Sequence, residues 1–391
     1  SYFDRLEGDE TADFSYATGS GEDNLTFSVN QALSQDPDFR MDVSTGASDD
    51  RINLVGNQFE LANVSIDGGE GENTLETSSS INVGTRGGID TNPDSVSNID
   101  NLILAGGESA ADPLGVAQDV DAGLGGALSE VQNLIIATND PDGVFGVDSQ
   151  VRGLDGDQSI SIDGRNQQAN TGDDDQAFGT IDLRNVDTEE LDLAIDNGAR
   201  STGSLTVNTL QFTSPNTDSV VRTLNLSSNG ARSTTNNVTN ANLNDIETLN
   251  LSGSQDLMMV VNNADDTTAS GKDDPAGFTQ TAGENLTGDL TLGISDIGGI
   301  LGDVDGEEHS LEGTEGVSDE LSLGNNTAGQ GFADNVTASG FETVVIGGNA
   351  GSVDGTATLD VANFSDVESY QVNNLGGGSD TVTLDNLSAG D

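Results

Sequence analysis

The phrase VSNIDNLILAG at 96–106 returns almost residue for residue as LSEVQNLIIAT at 128–138. LRNVDTEELDLAI (183–195), LNDIETLNLSG (243–253), SGFETVVIGG (339–348) and FSDVESYQVNN (364–374) keep the same plan, and SVVRTLNLSS (219–228) is a partial copy. Their common form runs from an apolar residue through two polar ones to Ile, Val or Phe, then an acidic or amide residue, a polar residue and a short strand. A chain that repeats a phrase needs the same surroundings for every copy. A solenoid supplies them, because each coil lays its residues on those of the coil before. The anchors Ile99, Val131, Val186, Ile246, Phe341 and Val367 are unevenly spaced, so insertions of different length separate the copies.

A shorter phrase runs alongside it. GEDNLTF (21–27), ASDDRINL (47–54), GVSDELSL (316–323) and GGSDTVTL (377–384) place an acidic turn before hydrophobic residues at every second position. GGEGENTL (68–75) and LDGDQSISI (154–162) are looser copies. Glycine permits the left-handed backbone of a tight turn, and the alternation that follows is that of a strand with one buried face. The expected fold is all-β: an irregular parallel β-solenoid or β-helix with degenerate calcium-binding turns, with β-sandwich domains as the alternative. Repetition favours the solenoid. Asparagine recurs at the strand flanks, at Asn101, Asn133, Asn250 and Asn373, where stacked amides can bond from coil to coil.

The organisation expected from composition is a cap or assembly segment over 1–45, with a short helix at 30–39, then solenoid over 46–265. An acidic, loop-rich insertion follows over 266–316, and further coils over 317–391. A start at Ser1 rather than Met is what a removed leader or a preceding domain leaves behind.

Charge narrows the function. The chain carries 68 acidic residues against 11 basic ones, a formal charge of −57, and Lys272 is its one lysine. Such a field repels nucleic acid and anionic membranes, so neither is an expected partner. With no cysteine, disulfides and thiolate metal sites are excluded. No run of about twenty apolar residues is present to span a membrane.

Closely spaced carboxylates in glycine-rich turns are the ligands a hard cation takes. Calcium accepts six to eight oxygens in irregular geometry, whereas magnesium demands a tight octahedron. The candidate ligands are Glu22, Asp23, Asp49, Asp50, Asp155, Asp157, Asp173, Asp175, Asp319 and Asp380. A solvated acidic surface explains the charge, but not why acidic turns precede strands in a set phrase.

TGSGEDNLTF (18–27) and NLGGGSDTVTL (374–384) resemble the glycine- and aspartate-rich calcium-binding repeats of RTX proteins, and LNDIETLNLSG resembles β-solenoid segments of bacterial surface-layer proteins and secreted adhesins. The resemblance implies a secreted structural protein, assembled or rigidified by Ca2+ at the cell surface. The expected molecule is therefore an extracellular homopolymer forming a surface layer, fibre or matrix filament, with cell-surface polysaccharide as a further partner. The alternative is an adhesin stalk or tip module binding a glycan or host surface. Catalysis is not expected: no nucleophile elbow, phosphate loop or HExxH is present, and the single histidine, His309, lies in an acidic run that looks like a surface loop.

Overall fold

The computed structural model describes residues 13–28, 40–55, 58–59, 64–77, 80–81, 96–106, 118–121, 130–138, 147–154, 156, 158–164, 176–197, 203–213, 221–230, 234–243, 246–263, 278–283, 285–295, 308–314, 318–324, 336–353, 356–373 and 380–387. Among these residues the secondary structure is β-strand with two single turns of 3-10 helix, at Gly348–Ala350 and Val361–Asn363.

Every strand pairing among the described residues is parallel. A 12-stranded sheet extends from Asn24–Ser28 to Val336–Ser339, and a 10-stranded sheet from Gln118–Asp121 to Ser369–Val372. A 4-stranded sheet starts at Asp13–Ala17, and two small strand pairs complete the set. From Asn101 to Ile346 successive strands fall alternately in the two large sheets, so each coil gives one strand to each. This is a parallel β-solenoid, and the sandwich alternative is set aside.

The alternating pattern explains why the coils keep register. Ile52, Leu75, Leu102, Leu134, Ile160, Leu193, Leu226 and Leu251 form one inward column, each lying over the next. Val207, Val238, Met259, Leu292, Leu321 and Val344 form another on the facing sheet. All are buried in one continuous core. Burying each such side chain contributes about 1.5–3 kcal/mol, and a slip of one residue would turn the whole strand inside out.

The outward column beside it is polar. Asn133 Nδ2 donates to Asn101 Oδ1 at 2.9 Å, and the Ser159 hydroxyl to Asn133 Oδ1 at 2.9 Å. Farther along, Asn225 donates to Asp192 at 2.8 Å, Asn250 to Asn225 at 2.8 Å, and Thr281 to Asn250 at 2.7 Å. The stacked amides expected at Asn101, Asn133 and Asn250 therefore exist.

Strands at 13–17, 24–28 and 40–44 lie within the segment expected as a cap, and 279–281, 290–294 and 309–312 within the acidic stretch 266–316. All six pair into the sheets above. The helix expected at 30–39 lies outside the described residues.

The acidic turns as candidate metal sites

The turns TGSGED (18–23), TGASDD (45–50) and GGEGEN (68–73) sit one above another at the entry to the 12-stranded sheet. Backbone bonds zip them together: Gly21 N–H to Ala47 O at 2.9 Å, Ser48 N–H to Glu70 O at 2.7 Å and Glu70 N–H to Gly46 O at 2.8 Å. The Thr45 hydroxyl donates to Gly68 O at 2.8 Å, and the Thr18 hydroxyl likewise to Thr45 O.

The residue just before each strand adds a second ladder. Asp23 N–H donates to Asp50 Oδ1 at 2.8 Å, Asp50 N–H to Asn73 Oδ1 at 3.0 Å, and Asn73 N–H to Asp100 Oδ2 at 2.8 Å. Where the chain enters a strand, the N–H lacks a β-ladder acceptor, and a buried N–H left unpaired is costly. A short carboxylate or carboxamide on the next coil reaches it, and an ionised acceptor makes the stronger bond.

The same device recurs at the far end. Asp319 is fully buried; its Oδ1 accepts from Leu290 N–H at 2.8 Å and its Oδ2 from Thr314 N–H. Asp319 N–H in turn donates to Glu342 Oε2 at 2.6 Å, and Asp289 N–H donates to Asp256 Oδ1 at 3.0 Å. Asp100 follows Ile99 in the longer phrase, and Glu342 follows Phe341 there. Asp50 and Asp319 in the shorter phrase, and Asp100 and Glu342 in the longer, thus staple one coil to the next.

Of the ten expected ligands, Glu22 and Asp49 are exposed, Asp23 and Asp380 half-buried, and Asp50 and Asp319 buried. Asp155, Asp157, Asp173 and Asp175 lie outside the described residues. The fold brings Asp23 and Asp50 together and places Asp319 and Asp380 in later coils, apart from them. Asp49 accepts from Glu72 N–H at 2.9 Å. Among the described residues no three acidic or histidine side chains converge on one point.

Asp50 and Asp319 nevertheless differ in what they can offer a cation. Both oxygens of Asp319 are engaged by N–H groups. At Asp50, Oδ1 holds the Asp23 N–H, while Oδ2 is buried with no hydrogen-bond partner. A carboxylate oxygen out of water needs a donor or a cation.

Near the C-terminal end, the Asn386 amide at 2.9 Å and then the Ala362 N–H at 3.0 Å hold the Asp360 carboxyl below the ordinary carboxylate range. The fold favours the ionised form. This tie is therefore present above the ordinary range and is lost as pH falls through the lowered value.

His309 is not a surface-loop residue. It opens the strand His309–Glu312, is 6% exposed, and its Nδ1 accepts from Phe278 N–H at 2.9 Å. The acidic run that marked it as a loop ends at the strand, where alternation turns His309 and Leu311 inward.

No family model, no curated protein and no solved structure matches the chain. Fold and turns together define its class as a parallel β-solenoid with carboxylate-stapled coils.

Proposed function

We propose that the chain is an extracellular structural protein that stacks end to end into a layer, fibre or filament, with calcium bound at its acidic turns. One observation carries this reading: among the described residues, the first and last strands of the stack have an edge with no paired strand. Among the described residues, Asp13–Ala17 and Asn24–Ser28 pair on one side only, as do Ser369–Val372 and Thr381–Asp385. An open edge presents unpaired N–H and C=O groups, which another strand can take up.

Apolar side chains are left half-covered at both edges. Phe14, Tyr16 and Phe27 pack together at one end, with ring centroids 5.7–6.4 Å apart, and Tyr16 is 41% exposed. At the other, Val372 is 45% and Leu387 52% exposed, beside Tyr370, Val382 and Leu384. A second copy would cover them as an inner coil covers its neighbour.

Calcium enters through charge and through Asp50. Copies carrying −57 each repel one another, and a bound divalent ion lowers that cost. Asp50 would hold the ion through its spare oxygen. Weak calcium sites of this kind suit an extracellular setting, where modules bind in the range of about 10⁻⁴–10⁻³ M. The reading assigns no catalytic residue.

Chelated protein titrated with calcium at fixed ionic strength should scatter more light as ordered particles grow, and matched magnesium should not reproduce this. Asp50→Asn should need about tenfold more calcium, because the site loses its charged ligand. Protein that stays monodisperse at every calcium concentration would overturn the assembly reading and leave a single module binding a glycan or host surface.

A further inference from the structure

We propose that His309 is a pH-sensitive latch between coils, closed when its ring is neutral and opened by protonation. The inference stands apart from assembly and calcium. It starts from a substitution of one acceptor for another within a single column of the 12-stranded sheet.

In that column Glu189, Arg222, Glu247, Phe278, His309 and Val336 lie one above the next. Arg222 N–H donates to Glu189 O at 2.9 Å, and Glu247 N–H donates to Arg222 O at 2.8 Å. At Phe278 the pattern changes: its N–H turns to the next coil and donates to the His309 ring instead. Phe278 is 4% exposed, so water does not replace that acceptor. Ser310 N–H returns a bond to Phe278 O at 3.2 Å, and the Thr337 hydroxyl donates to His309 O at 3.1 Å, which fixes the strand on both sides.

A ring nitrogen accepts only while it carries no proton. The Phe278 bond selects the tautomer with hydrogen on Nε2. Protonation makes Nδ1 a donor, sets two N–H groups against each other and places a charge in a buried column. The open junction therefore takes up a proton more readily than the closed one, and acid favours opening. Among the described residues, the two strands paired with His309–Glu312, Thr279–Thr281 and Val336–Ser339, carry no titratable side chain. Glu308 and Glu312 flank it on its own strand segment.

As the chain's only histidine, His309 gives one imidazole signal in ¹⁵N NMR. At neutral pH that signal should show a proton on Nε2 and none on Nδ1. Hydrogen exchange of the 278–283 and 308–314 segments, corrected for intrinsic rate, should accelerate by up to about tenfold per pH unit as the ring protonates. Segments 205–213 and 223–229 should keep their protection over the same range. His309→Asn places an amide oxygen where Nδ1 stood and does not titrate; it should keep the junction closed through that range. His309→Phe, with no acceptor, should show the open exchange pattern at neutral pH. A proton on Nδ1 at neutral pH overturns the proposal, as does a ring that titrates without loss of protection. Acid opening unchanged in His309→Asn overturns it too, and assigns the effect to the carboxylates.

Discussion

Gly69→Ala should cost about 2–5 kcal/mol of stability, while Gly19→Ala costs less than about 0.5 kcal/mol. The two glycines occupy the same place in stacked turns, separated by one coil. At Gly69 the backbone is left-handed, with φ at +75°, and a Cβ there would lie 1.8 Å from Gly46 O. That atom is backbone, held by the Glu70 N–H, so it cannot swing aside as a side-chain tip would. Overpacking of about 1–3 kcal/mol adds to left-handed strain of about 1–2 kcal/mol. Gly19 lies in the outermost described turn, where a Cβ meets nothing within 4 Å, and its φ is ordinary. Urea denaturation of the two variants measures the difference. Equal midpoints would mean that the turns do not stack in this register. Because a coil in a solenoid contacts only its neighbours, hydrogen exchange in Gly69→Ala should rise first around 45–77.

The second large effect is expected at Asp319. Asp319→Ala removes the oxygens that accept from the buried Leu290 and Thr314 N–H groups, at about 1–3 kcal/mol each, for a total of about 2–6 kcal/mol. Asp319→Asn retains one acceptor oxygen but sets an NH₂ group against the other N–H, so it should fall between alanine and wild type. Asp49→Ala is the control, since its bond to Glu72 N–H is exposed and its loss should stay within about 0.5 kcal/mol. Guanidinium denaturation orders the three variants. An Asp319→Ala cost no larger than that of Asp49→Ala would remove the carboxylate from its stapling role.

Much of this fold was legible because the core has a short period. Leu102 and Leu134 sit at matching places in two visibly similar phrases, and so do Asn101 and Asn133, which bond to each other. Register elsewhere was hidden, because coils differ in length: Asn250 bonds Asn225 25 residues back, while Asn133 bonds Asn101 across 32. Local pattern also says nothing of polar residues placed inside. Asn236 stands in the inward column between Leu205 and Leu257, where alternation calls for an apolar side chain. It is held by the Ser228 hydroxyl and the Asn229 and Ile195 carbonyls, partners that only the fold brings near.

The acidic turns were legible as turns, and Gly21, Gly46, Gly69 and Gly71 as left-handed positions. What each carboxylate does was not. Asp50 and Asp319 hold the same place in the phrase, two residues before the first of the alternating apolar residues, Ile52 and Leu321. One keeps a buried oxygen without a partner and the other has both oxygens occupied, a difference set by the coil above and below. Asn73 and Asp100 completed the ladder without standing out as candidates, since an amide serves as well as a carboxylate when the donor is a backbone N–H.

End-to-end stacking of these coils is tested most directly by diffraction from aligned, calcium-grown assemblies. Strands stacked along the particle axis should give a reflection at about 4.8 Å on the meridian, parallel to that axis, because one copy's coils continue the spacing of the next. The same reflection lying perpendicular to the long axis would show copies joined side by side, and would contradict growth through the open strand edges.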